Sequence, residues 1–146
     1  MTTRTLTLVA MLAMFCGLLF IQSCGSKGND PLPVDQTKSV LTSGIWKLLS
    51  VSVDGVDKTS VYTGLTLSFT VSNFNSTNGR VIWPNSGTWQ FTDDTGKNIT
   101  RGDGLQVAID EASTSKLILK LTWNETTLGP GRVNSLMGVN VFSFGK

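Results

Sequence analysis

Two patterns of apolar and polar positions divide the chain. Residues 6–21 are apolar apart from Thr7 and Gly17, while from residue 44 onward apolar and polar residues alternate in short runs between turn formers. The first pattern reads as a single apolar helix. The second puts successive side chains on opposite faces and reads as a series of half-buried strands.

Eight strands are predicted, over residues 45–53, 65–71, 80–83, 87–92, 98–101, 105–109, 117–123 and 139–144. Leu65, Leu67, Phe69 and Val71 make the cleanest inward row, followed by Leu117, Leu119, Leu121 and Trp123. Trp89 with Phe91, Leu105 with Val107 and Ile109, and Phe142 with Phe144 give shorter rows, and Ile99 turns inward from 98–101. The first strand breaks the rule: Trp46 and Leu48 share one face, while Leu49, Val51 and Val53 share the other. A β-bulge near Leu48-Leu49, or burial of both faces at one end, reconciles them. Asp54-Gly55 is a strong turn signal and opens a loop to Gly64 that carries Val61 and Tyr62 inward. Residues 73–79 read as a turn cluster, Pro84 stops 80–83, and Asp93-Asp94-Thr95-Gly96 and Gly129-Pro130-Gly131 turn the chain again. Residues 37–43 form a short helical turn ended by Gly44.

Connections this brief leave no room for helical crossovers, so the sheet is expected to be antiparallel. The fold class is all-β, an up-and-down barrel of about eight strands, with a two-sheet sandwich as the alternative.

The apolar run changes the picture of where this domain works. It follows a polar start with one cation, Arg4, and at about 16 residues falls short of the roughly 20 that span a bilayer. It exits into Ile21-Gln22-Ser23-Cys24, the layout of a cleaved secretory signal. That tetrad resembles the lipobox of bacterial lipoproteins, with an aliphatic first place, a small third place and then the cysteine; Gln22 departs from the usual small or aliphatic second place. The resemblance implies diacylglycerol on the Cys24 thiol, cleavage between Ser23 and Cys24, and further acylation of the new amino group by chains such as palmitate. It divides the chain into a signal peptide (1–23), a segment of lipidated cysteine, tether and helical turn (24–43), and a β domain (44–146). Gly, Ser, Asn, Asp, Pro31 and Pro33 make 25–38 a flexible tether. Gly25 is not the aspartate that resembles an inner-membrane retention signal, so the outer membrane is expected, with the domain facing the periplasm or the cell surface.

Composition then removes chemistry. The chain has no histidine, which excludes Ser-His-Asp and Cys-His catalysis and His-ligated zinc. Its 12 Lys+Arg are scattered singly among 10 Asp+Glu, unlike a nucleic-acid interface. With Cys16 in the leader and Cys24 at its end, cleavage leaves no internal disulfide. Asp93-Asp94 lacks the spaced ligands of a calcium loop, Arg101-Gly102-Asp103 reads as a turn before an adhesion motif, and Asp110-Glu111 and Glu125 read as exposed acids. No metal site, cofactor or catalytic residue is expected; the protein is expected not to be an enzyme and to be a monomer.

Gly44-Ile45-Trp46 at the first strand of such a meander resembles the G-x-W signature of lipocalins, and 44–146 is similar to the lipocalin-like domains of bacterial lipoproteins. The resemblance implies that Trp46 closes the floor of the barrel, and that the barrel is a binding or carrier module for a small apolar ligand. The alternative is a filled barrel that acts through its loops on other envelope proteins. Trp46, Phe69, Trp89, Phe91 and Trp123 are the candidate cavity-lining residues, with simple core filling the competing role.

Overall fold

The strand that follows Gly44 is the seam of the fold. In the computed structural model, which describes residues 33–125 and 136–146, β1 (Ile45–Val53) pairs on one side with β9 (Gly138–Gly145). On its other side it pairs first with β3 (Thr66–Phe69) and then with the two-residue β2 (Val56–Asp57). From β3 the chain runs through β4 (Asn73–Thr77), β5 (Ser86–Phe91), β6 (Asn98–Arg101), β7 (Gln106–Ala112) and β8 (Lys116–Trp123) into β9, each strand antiparallel to the next. The β1–β9 ladder closes eight strands into an up-and-down barrel, and β2 is appended to the end of β1. Closure sets aside the sandwich and leaves a lipocalin-like barrel without long free edges.

The broken alternation of β1 is a bulge. Its pairing with β9 shifts between Leu48↔Phe144 and Ser50↔Ser143, which leaves Leu49 as the extra residue, 61% exposed. One additional residue resets the parity, so Trp46, Val51 and Val53 all point inward. Asp54 (φ 48°) and Gly55 (φ 81°) both take the left-handed conformation of a type I′ hairpin turn.

Three sequence expectations are corrected. Residues 73–77 are a strand, not part of a turn cluster: Phe74 and Ser76 face inward while Asn73, Asn75 and Thr77 face out. Pairing to β3 and β5 outweighs the turn preference of two asparagines. Residues 80–83, expected as a strand, form a turn closed by the Trp83 amide donating to the Gly79 carbonyl at 2.9 Å. Val71, expected inward, lies past the end of β3 and is 69% exposed.

One end of the barrel is covered by helix α1 (Pro33–Leu41), which starts at Pro33 rather than Thr37. Proline suits the first helical position, and residues 33–38 therefore belong to the helix and not to the tether. The opposite end receives the short 3₁₀ turn Thr59–Tyr62 and the turn between β4 and β5. The leader, Cys24 and the Gly129-Pro130-Gly131 loop lie outside the described residues. Among the described residues no helix is long and apolar enough to cross a membrane.

Candidate functional site

The barrel interior is the first place to look for a site, and its residues are supplied by inward parity. At the α1 end, Trp46 is fully buried and its indole Nε1 donates to the Leu41 carbonyl at 3.0 Å. The Lys146 ammonium sits 4.4 Å from the Trp46 ring centroid and also donates to Ser43 Oγ. Trp46 thus closes one end of the barrel between helix and C-terminal strand.

From that end a chain of ring contacts runs through the interior. Phe91, Trp89 and Phe69 meet edge to face at 5.2 and 5.6 Å. Phe69 reaches Phe74 at 6.5 Å, Phe74 meets Trp83 at 5.7 Å, and Trp83 meets Phe142 at 6.0 Å. Tyr62 closes the series against Phe142 at 5.2 Å. Most of these pairs are edge to face, the arrangement that aromatic quadrupoles favour. Of the five candidate cavity residues, Phe69, Trp89 and Phe91 are brought together. Trp46 and Trp123 make no ring contact with them among the described residues.

Sequence reasoning missed the stopper at the other end. Ile82 and Trp83 are fully buried although they belong to a turn. Gly79 permits this: a Cβ there would lie 2.1 Å from the Trp83 carbonyl oxygen. Ser76 Oγ fastens the turn by donating to the Trp83 and Pro84 carbonyls at 2.8 and 3.0 Å.

It also missed a buried cation. Arg101, only 3% exposed, lies with its guanidinium 5.4 Å from the Phe74 ring centroid and 5.2 Å from that of Trp83. It donates to the Ile82 carbonyl and to the Asp103 carboxylate. The signal was present, because Arg101 is two residues from inward-facing Ile99 and shares its face. The same parity from Phe142 places Asn140 inward, where its amide donates to the Leu136 carbonyl at 2.9 Å. Burial of its arginine removes Arg101-Gly102-Asp103 as a surface adhesion tripeptide.

Burial alone would push the Asp103 carboxyl up. Hydrogen bonds from the Arg101 guanidinium and the Leu105 amide, with the Arg101 charge, instead hold it below the ordinary 3.8. A lowered folded value gives stability that is complete above the unfolded value and is lost as pH falls through the folded one. Asp103 is half exposed, so the pair is screened on one side. Asp103→Asn is expected to cost about 1–2 kcal/mol near neutral pH, by leaving Arg101 without its anion. The difference from the parent should shrink as pH falls below the ordinary carboxylate range and the parent carboxylate itself protonates. Urea unfolding at neutral and at acidic pH checks this.

Among the described residues several buried polar atoms have no hydrogen-bond partner: Tyr62 Oη, Trp83 Nε1, Arg101 Nε, Trp123 Nε1 and Asn140 Oδ1. Burial pushes the Tyr62 hydroxyl well above its ordinary value, with the Arg80 charge opposing.

The outer acids are engaged in structure. Asp93 accepts from the Thr95 amide and hydroxyl, as in a turn, and these bonds lower its pKa. Lys120 pairs with Asp110 at 3.4 Å and Lys116 with Glu111 at 2.7 Å. Among the described residues no group of three His, Cys, Asp or Glu is placed to hold a metal ion. No protein-family model matches the chain, and no curated protein matches it significantly.

Proposed function

We propose that this chain is a lipid-anchored lipoprotein of the cell envelope, held on the outer membrane through Cys24, whose barrel is a non-enzymatic binding module. Cys24 and the leader rest on the lipobox resemblance and lie outside the described residues. For the barrel, the observation that carries the reading is the ring series Phe69, Phe74, Trp83, Phe142 and Tyr62. These rings occupy the space that a lipocalin-like carrier would give to its ligand, which favours recognition through loops and outer surface.

A specific observation favours the second reading, a carrier of a small apolar ligand. Tyr62 Oη, Trp83 Nε1 and Trp123 Nε1 are buried donors without partners among the described residues. Orphaned donors cost stability unless something satisfies them, and a bound molecule with polar groups at such atoms would do so.

Native mass spectrometry of the protein extracted in mild detergent tests both. The expected result is a mass lacking residues 1–23 and carrying acyl chains, with no stoichiometric passenger. A passenger bound one to one would establish the carrier reading instead, and an unacylated mass would remove the lipoprotein reading.

A further inference from the structure

At the end of the barrel opposite α1, a cleft of about 340 Å³ lies between the 3₁₀ turn and the β4–β5 turn, lined by Ser60, Val61, Thr63, Asn78 and Arg80. It is separate from the aromatic interior and does not depend on whether that interior is filled. Four of its five lining residues are polar or charged.

Arg80 is held rather than free to wander. Its Nε donates to the Val61 carbonyl at 2.7 Å across the cleft. Its backbone takes a left-handed φ of 56°, as does that of Asn78, also at 56°. Asparagine tolerates this region, but an arginine rarely adopts it, and such a conformation persists only where the surroundings impose it. The surroundings here are known: Gly79 is pressed against Trp83, and the Asn78 side-chain amide donates to the Thr63 and Gly64 carbonyls at 3.3 Å each. The core stopper and the cleft are therefore two sides of one turn.

The guanidinium so placed has no acid within ion-pairing distance among the described residues, and only its Nε is hydrogen-bonded. Its two terminal nitrogens remain as a planar fork of donors, the geometry that matches two oxygens of a phosphate. The Ser60 hydroxyl on the facing turn adds a further donor, while Thr63 Oγ1 donates to the Ser60 carbonyl at 3.0 Å and fixes that turn. We infer that this cleft is a binding site for a phosphate group, seated on the Arg80 fork and on Ser60. Free phosphate esters and lipid headgroups share this chemistry.

The test is a nitrogen-15 NMR titration of the full chain in neutral detergent micelles. Inorganic phosphate is one arm; the other is phosphatidylglycerol doped into the micelles, with phosphatidylcholine as control. Saturable shifts are expected at the amides of residues 60–63 and 78–80 and at Arg80 Nε. Arg80→Gln should weaken the response roughly tenfold or more, with Arg80→Lys between the two. An otherwise unchanged Arg80→Gln spectrum, or that of Arg80→Lys, shows that the turn is intact. Response to phosphate marks a soluble ester as the source, and response to phosphatidylglycerol alone marks a headgroup. Absence of saturable shifts in both arms, or an undiminished response in Arg80→Gln, overturns the site.

Discussion

Trp83→Ala is expected to destabilise the barrel by about 3–5 kcal/mol, the cost of emptying a large, fully enclosed aromatic site. The indole is the node at which the stopper of one barrel end meets the interior. It packs edge to face on Phe74 at 5.7 Å and on Phe142 at 6.0 Å, and Arg101 lies against it. Removing it takes one aromatic partner from each ring and one face from a buried guanidinium, and the closed ladder around it has little freedom to collapse inward. Against a total of about 5–15 kcal/mol for an ordinary domain, this brings the protein to the edge of folding. Trp83→Phe should cost much less: it preserves a ring between Phe74 and Phe142 and removes an indole N–H that has no partner. Urea unfolding followed by far-ultraviolet circular dichroism separates the two. Similar midpoints for the alanine and phenylalanine variants would show that the stopper is not closely packed.

The contrast between Trp83 and Leu117 shows which parts of the fold were legible. Leu117, Leu119, Leu121 and Trp123 sit on a regular strand, where parity alone assigns the face, and all four are buried. Parity even offered a bulge near Leu48-Leu49, beside burial of both faces, because a single inserted residue leaves a recognisable defect in the alternation, and the extra residue is Leu49. It failed where long-range contacts decide. Asn73–Thr77 has a composition that prefers turns, yet it pairs with strands on both sides. Ile82 and Trp83 looked like a strand because they are apolar, but they are buried from a turn whose shape depends on Gly79 approaching the Trp83 carbonyl. Such an approach joins positions only four apart, yet no local pattern reveals it.

The candidate site divides in the same way. The aromatic rows were visible because they are large and periodic. Arg101 was visible in parity but obscured by its place in a turn-like tripeptide, since a charged residue is ordinarily assigned to the surface. Arg80 carries no sequence signal at all. Its role in the inferred phosphate site comes from a left-handed backbone and a neighbour across the cleft, neither of which is encoded in its own vicinity.

Cys24→Ala is expected to abolish acylation, and with it the acyl anchor, while leaving the barrel intact. Acyl anchoring is additive: each buried methylene contributes about 0.8 kcal/mol, one acyl chain holds only marginally, and several chains on one residue would hold for the life of the protein. All of them depend on the one thiol, because diacylglycerol on the cysteine is what licenses cleavage and the later acylation in the family that the lipobox resembles. The second half follows from the core of the described residues, whose buried set runs from Leu41 to Phe144. Metabolic labelling with palmitate, together with fractionation of carbonate-washed membranes, measures the first half. The substituted chain should take up no label and run as an uncleaved precursor. Cys16→Ala should be labelled and cleaved normally, because the proposed processing discards residue 16 with the leader. Continued acylation of Cys24→Ala would overturn the anchor, whereas loss of label in both variants would point to a general failure of export.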